Sequence, residues 1–268
     1  MKLKRATGFR LVTRQPDRLL GFYAALGFAI EAETVIGDDE MAILGLRGGG
    51  RRHAMMLGKT AVDLDHFDVA GRSYPPLADA ASRCFQHLAL VTDDVAQAWA
   101  TAQDHGASPI SRDGPVTLPA SAGGVTAVKF RDPEGHPLEL IRFPDMAAHG
   151  WRGTGVLGTD HSAISVTDLA AARGFYQGQG LTEGKATLNQ GLEQAALDGL
   201  DAPLVDVMPM QPADVPPHVE LLHYRGRAGT DGQDWATNDV AATRFVWQGS
   251  APALLRDPDG HLHQVEAG

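Results

Sequence analysis

Three segments of the chain follow one template. In each, a β-branched, apolar run opens the unit and a glycine falls 19 positions after its first residue: Gly8 to Gly27, His87 to Gly106 and His161 to Gly180 (27 − 8, 106 − 87, 180 − 161). A fixed internal period constrains a fold strongly, because each unit is one supersecondary element and the architecture must assemble such elements. The opening run of each unit, rich in Val, Leu, Ile and Thr, predicts a strand. Behind a Thr-Asp pair able to cap a helix, Val95, Ala98, Trp99 and Ala102 recur at helical spacing. Gly27, Gly106 and Gly180 then suit the left-handed residue that ends a helix.

Further strand-like segments complete each unit: 41–46 and 61–67 in unit one, 125–130 and 138–143 in unit two, and 193–198, 204–208 and 219–224 in unit three. From about Trp235 the tail holds a fourth, shrunken copy, whose residues 255–265 echo 130–140 through the shared Arg-Asp-Pro-acid-Gly-His run. Between aligned first and last positions the copies span 55, 52, 59 and 20 residues (63 − 8, 139 − 87, 220 − 161, 264 − 244), so the fourth lacks its helix and middle strands. Residues 143–155 read as a linker, and 70–76 as a shorter one. This places units one and two in residues 1–145, and unit three with the degenerate unit four in 155–268.

Composition narrows the function. With 268 residues, 43% hydrophobic and 21% charged, the chain is ordinary for a globular protein of about two domains. Its net charge of −10 (23 − 33) repels phosphate backbones and anionic lipid, so neither nucleic acid nor membrane is an expected partner. No apolar run is long enough for a signal peptide or a membrane span. The single cysteine, Cys84, can form no internal disulfide. A cytoplasmic location is expected, as a monomer or homodimer.

A strand, helix and three strands in tandem, with His at the head of the first strand, Phe-Tyr (Phe22, Tyr23; Phe175, Tyr176) near the helix end and Asp-Pro-Glu-Gly-His-Pro-Leu-Glu-Leu (132–140) at the close, resembles the vicinal oxygen chelate superfamily. That superfamily includes glyoxalase I, extradiol ring-cleaving dioxygenases, methylmalonyl-CoA epimerase and bleomycin-resistance proteins. The resemblance implies an α+β fold of tandem βαβββ modules forming two partly open, glyoxalase-like barrels, the fourth module truncated. It also implies a divalent transition metal (Fe, Mn, Ni, Co or Zn) held by residues on the first and last strand of each module.

Carried over position by position, those residues are Gly8 and Asp63 in module one, His87 and Glu139 in module two, His161 and Glu220 in module three, and Arg244 and Gln264 in module four. Two imidazoles and two carboxylates suit a borderline-hard divalent ion. Glycine offers no donor, and an arginine repels a cation. Pairing one with two and three with four would leave each barrel an incomplete ligand set. Pairing two with three and one with four would unite His87, Glu139, His161 and Glu220 in one complete site and leave the other barrel degenerate, and this second arrangement is the expected one.

The implied function is a metal-dependent enzyme acting on a small substrate with adjacent oxygens, an isomerase or lyase of glyoxalase or epimerase type, in which Glu139 or Glu220 also moves a proton. An iron-dependent extradiol dioxygenase would use His87, His161 and one glutamate, leaving the second surplus. A metal-free, bleomycin-resistance-like binding barrel is the third reading, suggested by the replaced positions Gly8, Arg244 and Gln264. Lys129 and Arg244 are candidates for holding a substrate anion, although Lys129 would by default reach solvent and Arg244 can instead pair with Asp63. The two Asp-Pro-acid-Gly-His turns, with His136 and His261, read as tight turns without chemistry. Alternation turns His223 away from Glu220, while His218 and His263 are minor candidates. Gly48 to His53 reads as a solvated connection, since a phosphate loop's lysine is missing. Asn189 to Gln194 reads first as a turn into a strand and second as cavity lining.

Overall fold

The computed structural model describes residues 3–214, 216–227 and 235–268; residues 1 and 2 of the amino-terminal segment lie outside them. Module one comprises β1 (Arg5–Val12), α1 (Pro16–Ala25), β2 (Ala29–Val35), α2 (Asp38–Ile43), β3 (Gly50–Leu57) and β4 (Thr60–Phe67). Module two comprises β5 (Gln86–Thr92), α3 (Val95–Asp104), β6 (Ser108–Pro109), β7 (Val116–Thr117), β8 (Thr126–Arg131) and β9 (Pro137–Arg142). Module three follows with β10 (Val156–Ser165), α4 (Leu169–Gly178), β11 (Thr182–Glu183), β12 (Thr187–Asn189), α5 (Leu192–Asp198), β13 (Val205–Gln211) and β14 (His218–Tyr224). Module four has β15 (Arg244–Gly249), β16 (Ala253–Arg256) and β17 (Leu262–Ala267).

Local chemistry explains the repeated helix. The Asp94 carboxylate accepts from Gln97 N at the start of α3, and Asp168 accepts from Ala170 N and Ala171 N at the start of α4, each satisfying backbone donors that the first turn leaves free. Helix α1 begins instead with Pro16, whose missing N–H costs nothing there. The closing glycines have φ of 92°, 95° and 99°, a region costly for any side chain with a Cβ.

Modules pair two with three and one with four. Strands β5 and β10 run antiparallel at the centre of a ten-stranded sheet, and β1 and β15 do the same in a seven-stranded one. The register is the same in both. His87 faces Ala163 and His161 faces Ala89; in the other sheet Gly8 faces Val246 and Arg244 faces Arg10. The last strands repeat the match: Ala89 aligns with Glu139 and Ala163 with Glu220, as Arg10 does with Asp63 and Val246 with Gln264. A one-residue slip would send each of these side chains to the opposite face, so the positions aligned in the sequence occupy equivalent places in space. A shared apolar core, including Leu19, Phe22 and Tyr23 of α1, Trp99 of α3 and Tyr176 of α4, joins the two sheets through the helices.

Four segments differ from the sequence expectation: Gly50 to His53, read as part of a solvated connection, opens β3, and the fourth module keeps one middle strand, β16. Residues 41–46 and 193–198 were expected as strands, yet 38–43 and 192–198 are helices. Asp38, Asp39 and Glu40 occupy the first turn of α2, where the helix dipole favours acids. Gln194, Ala195, Leu197 and Asp198 are the buried residues of α5, a helical rather than alternating spacing, and Gly199 ends it in the left-handed region.

Candidate metal centre

The ten-stranded sheet encloses a cavity of about 330 Å³ whose wall includes His87, Glu139, His161 and Glu220, the four positions aligned in modules two and three. Each reaches the cavity from the inward face of a first or last strand. His87 Nε2 lies 3.3 Å from Glu139 Oε2, and His161 Nε2 lies 3.5 Å from both Glu139 Oε2 and Glu220 Oε2. One ligand atom each from His87, Glu139 and His161 falls within 4.8 Å of the others.

Without an ion, the cluster carries a defined charge. Burial would lower the His161 imidazole, but Glu220, Asp160 and Glu139 together raise it well above the ordinary histidine value. Burial lowers His87, which Glu139 only partly offsets. Burial would raise both glutamates; His161 and His87 instead hold Glu139 well below the usual carboxylate range, and His161 with His218 brings Glu220 down to about 2. The carboxylates thus favour the charged form of His161, while burial favours the neutral form of His87. Neither ring nitrogen of His87 has a hydrogen bond of acceptable geometry, although the ring is fully buried. A buried imidazole without partners is unusual, and together with the converging carboxylate oxygens it fits a divalent cation.

One participant was not legible in the sequence and another was underrated there. Asp160 is the extra residue of a bulge in β10, where Thr159 pairs with Leu90 and His161 with Ala89. The bulge breaks strict alternation and brings consecutive side chains together, so that Asp160 Oδ2 lies 3.0 Å from His161 Nδ1. That contact leaves Nε2 facing the cluster, as metal-binding histidines require. His218, rated minor, stands 3.5 Å from Glu220 Oε1, and a second group of three possible ligands consists of Asp160, His161 and His218. Its signal was present, since 218 and 220 share a strand face.

Lys129 does not reach solvent. It is buried, lines the cavity and donates to Asp198 Oδ1 at 2.7 Å. Burial would lower this ammonium, but Asp198 and Glu139 raise it above its ordinary value. Asn189 and Gln194 also line the cavity, the second of the two roles considered for them. His223 faces away and pairs with Asp206.

Arg244 is not brought to this cavity. It is completely buried in the seven-stranded sheet and pairs at 2.5 Å with Asp65, not with the expected Asp63, while its other terminal nitrogen donates to the Thr237 carbonyl. Burial, only partly offset by Asp65, brings its guanidinium down to about 10. Asp63 pairs with both Arg10 and Arg52, Asp65 with Arg52, and Glu40 of α2 bridges the same two arginines and accepts from Gln264. The space that holds the candidate ligands in one barrel holds an ion network in the other. Gly8 could not be a ligand by simple substitution, because a Cβ there would lie 2.3 Å from the Ala61 carbonyl oxygen.

Comparison with known proteins agrees with this architecture. The chain is similar to glyoxalase I from Zea mays, with a TM-score of 0.62 at 15% identity over 98% of this chain and 92% of that one. It is also similar to a putative dioxygenase from Bacillus subtilis, with a TM-score of 0.57 at 14% identity over 98% and 85%. No curated protein matches the chain. The model of the Glyoxalase/Bleomycin resistance protein/Dioxygenase superfamily matches residues 5–140, which is 136 of 268 residues (140 − 5 + 1). With repeat, register and site geometry in accord, the chain belongs to that superfamily.

Proposed function

We propose that the cavity between modules two and three is a divalent-metal site that isomerises or cleaves a small substrate through two adjacent oxygens. The observation that supports this most is the convergence of His87, Glu139 and His161, with Glu220 beside them, in one cavity, while the equivalent positions of the other barrel are Gly8, Asp63, Arg244 and Gln264. His87, Glu139 and His161 would hold the ion and Glu220 would complete the set; when bound, it would polarise the substrate oxygens and acidify the neighbouring carbon.

The chain's own residues supply the rest. Glu220 is the better placed base, because its side chain is 19% exposed against 6% for Glu139 and it has His218 at 3.5 Å to pass a proton outward. Its low proton affinity owes most to His161, working against burial, which alone would raise it. Apolar walls such as Leu118, Ile141 and Leu222 exclude water from the reacting carbon.

A specific observation favours a second reading. His87, His161 and Glu139 bring two histidines and one carboxylate together, the set that would leave three positions free on iron for a catecholate and dioxygen. The test is the metal content of protein purified without chelator or affinity-tag metal, beside His87→Ala and His161→Ala. One transition ion per chain, lost in both variants, supports the site. Iron identifies the ring-cleaving reading, and nickel, cobalt, zinc or manganese the non-redox one. A parent that takes up no metal even after reconstitution overturns both and leaves a binding barrel.

A further inference from the structure

The cavity has a second polar end. Tyr224 stands four residues beyond Glu220 on the same face of β14, about 13 Å of strand away. Near it Asp198, completely buried on α5, takes two charge-assisted bonds: Lys129 Nζ at 2.7 Å on one oxygen and Gln194 Nε2 at 2.7 Å on the other. A carboxylate only accepts, so the second bond fixes which way round the Gln194 amide lies. Gln194 Oε1 is left buried with no hydrogen-bond partner, and the Tyr224 hydroxyl, close enough to Asp198 to interact with it, has no well-formed one. Both residues line the cavity and are at least nine-tenths buried. Burial, then the Asp198 charge, keeps the Tyr224 phenol well above its ordinary value, a neutral hydroxyl able to donate and accept.

This end is rigid and belongs to both modules. Helix α5 comes from module three, yet its Ala196 carbonyl accepts from Arg112 N at 2.8 Å and its Leu197 carbonyl from Ser111 Oγ at 2.7 Å, both in module two. A stranded buried acceptor is costly, and a ligand that supplies a donor relieves it.

We propose that this end of the cavity is a second recognition point, for an uncharged group on the substrate that both donates and accepts, a hydroxyl or a carboxamide. The group would donate to Gln194 Oε1 and accept from Tyr224 Oη or from a free N–H of Lys129. A carboxylate is disfavoured, because Asp198 already matches the Lys129 charge and Gln194 presents an acceptor. The anion role considered for Lys129 therefore gives way to a neutral one. Resting on the reading of this cavity as the substrate site, the inference specifies a molecule with two adjacent oxygens at one end, an apolar middle against Ile141, Val207 and Leu222, and a neutral hydrogen-bonding group at the other.

The test uses metal-free protein, so that it is independent of the ion. 1-Propanol, propionamide and propionate are titrated separately while the side-chain amide of Gln194 is followed by NMR. Saturable shifts with the two neutral probes, at concentrations on the order of tenfold below any effect of propionate, are expected. Tyr224→Phe should weaken both neutral probes, and Gln194→Leu, followed at the backbone amides of 221–224, should abolish their binding with the remaining spectrum unchanged. Propionate saturating first would overturn the proposal in favour of an anion site, and no saturation by any probe would reduce the cluster to a structural one. Failure of metal uptake is read separately from metal content and leaves these titrations standing.

Discussion

The phenol of Tyr23 donates a 3.0 Å hydrogen bond to Asp132, joining the helix-end Phe-Tyr motif of module one to the Asp-Pro-Glu-Gly-His turn of module two. Tyr176 does the same to Asp257 at 3.1 Å, from module three to module four. The turn histidines follow suit, His136 Nε2 lying 3.0 Å from the Val12 carbonyl and His261 Nε2 3.1 Å from that of Ser165. Each turn therefore fastens one sheet to the other. Tyr23→Phe and Tyr176→Phe each remove a buried donor from a carboxylate and should lower stability by about 1–3 kcal/mol. Urea unfolding measures this, and a change under about 0.5 kcal/mol in both would show that the bonds do not hold the sheets.

These turns mark how far the sequence could be read. The 19-residue spacing and the Asp-Pro-acid-Gly-His echo located four modules and aligned eight positions that the sheet register reproduces, because a strand's period of two ties sequence offset to facing. The partners of Asp132 and Asp257 lie 109 and 81 positions away, beyond any local pattern. Asp160 escaped because a bulge suspends alternation, and Asp198 because residues 193–198 were read as strand-like while their buried set is helical. The network of Arg10, Arg52 and Glu40 depends on α2 folding over the barrel mouth, a tertiary event.

His263 makes the fold sensitive to acid. Trp247 Nε1 donates to its Nδ1 at 3.0 Å, and Tyr176, which gives its own proton to Asp257, accepts from its Nε2 at 2.9 Å. The ring is thus held neutral, and burial with His261 nearby brings it down to about 3. The unfolded chain titrates near 6.5, so between these values it binds the extra proton. The stabilisation is complete above the ordinary value and is lost as pH falls toward the folded one, by up to about 1.4 kcal/mol per pH unit. Urea unfolding of the parent and His263→Gln at several pH values checks this: the difference between them should shrink on acidification. A constant difference would remove His263 as the titrating group.

The Lys129 and Asp198 pair should behave as a unit. Asp198→Leu leaves a buried ammonium unmatched and should cost about 3–5 kcal/mol. Lys129→Met costs less, since Asp198 keeps the Gln194 amide. The double variant replaces a buried ion pair by apolar groups and should be more stable than the sum of the singles by about 2 kcal/mol or more. Simple additivity in denaturant unfolding would mean that the two charges are solvated separately.

Asp160 should govern metal affinity without touching the ion. Its carboxylate lies 3.0 Å from His161 Nδ1, and a histidine whose far nitrogen is so held presents Nε2 in one tautomer and orientation. Asp160→Ala frees the ring to rotate and favours the wrong tautomer, so affinity should fall by about 10–100-fold while the ligands remain in place. Competition with a chelator of known affinity measures the loss. His218→Ala distinguishes this from a general loss of charge near the site: His218 contacts Glu220 rather than the far nitrogen of His161, so affinity should change much less. If Asp160→Ala binds metal as tightly as the parent, the bulge in β10 positions no ligand.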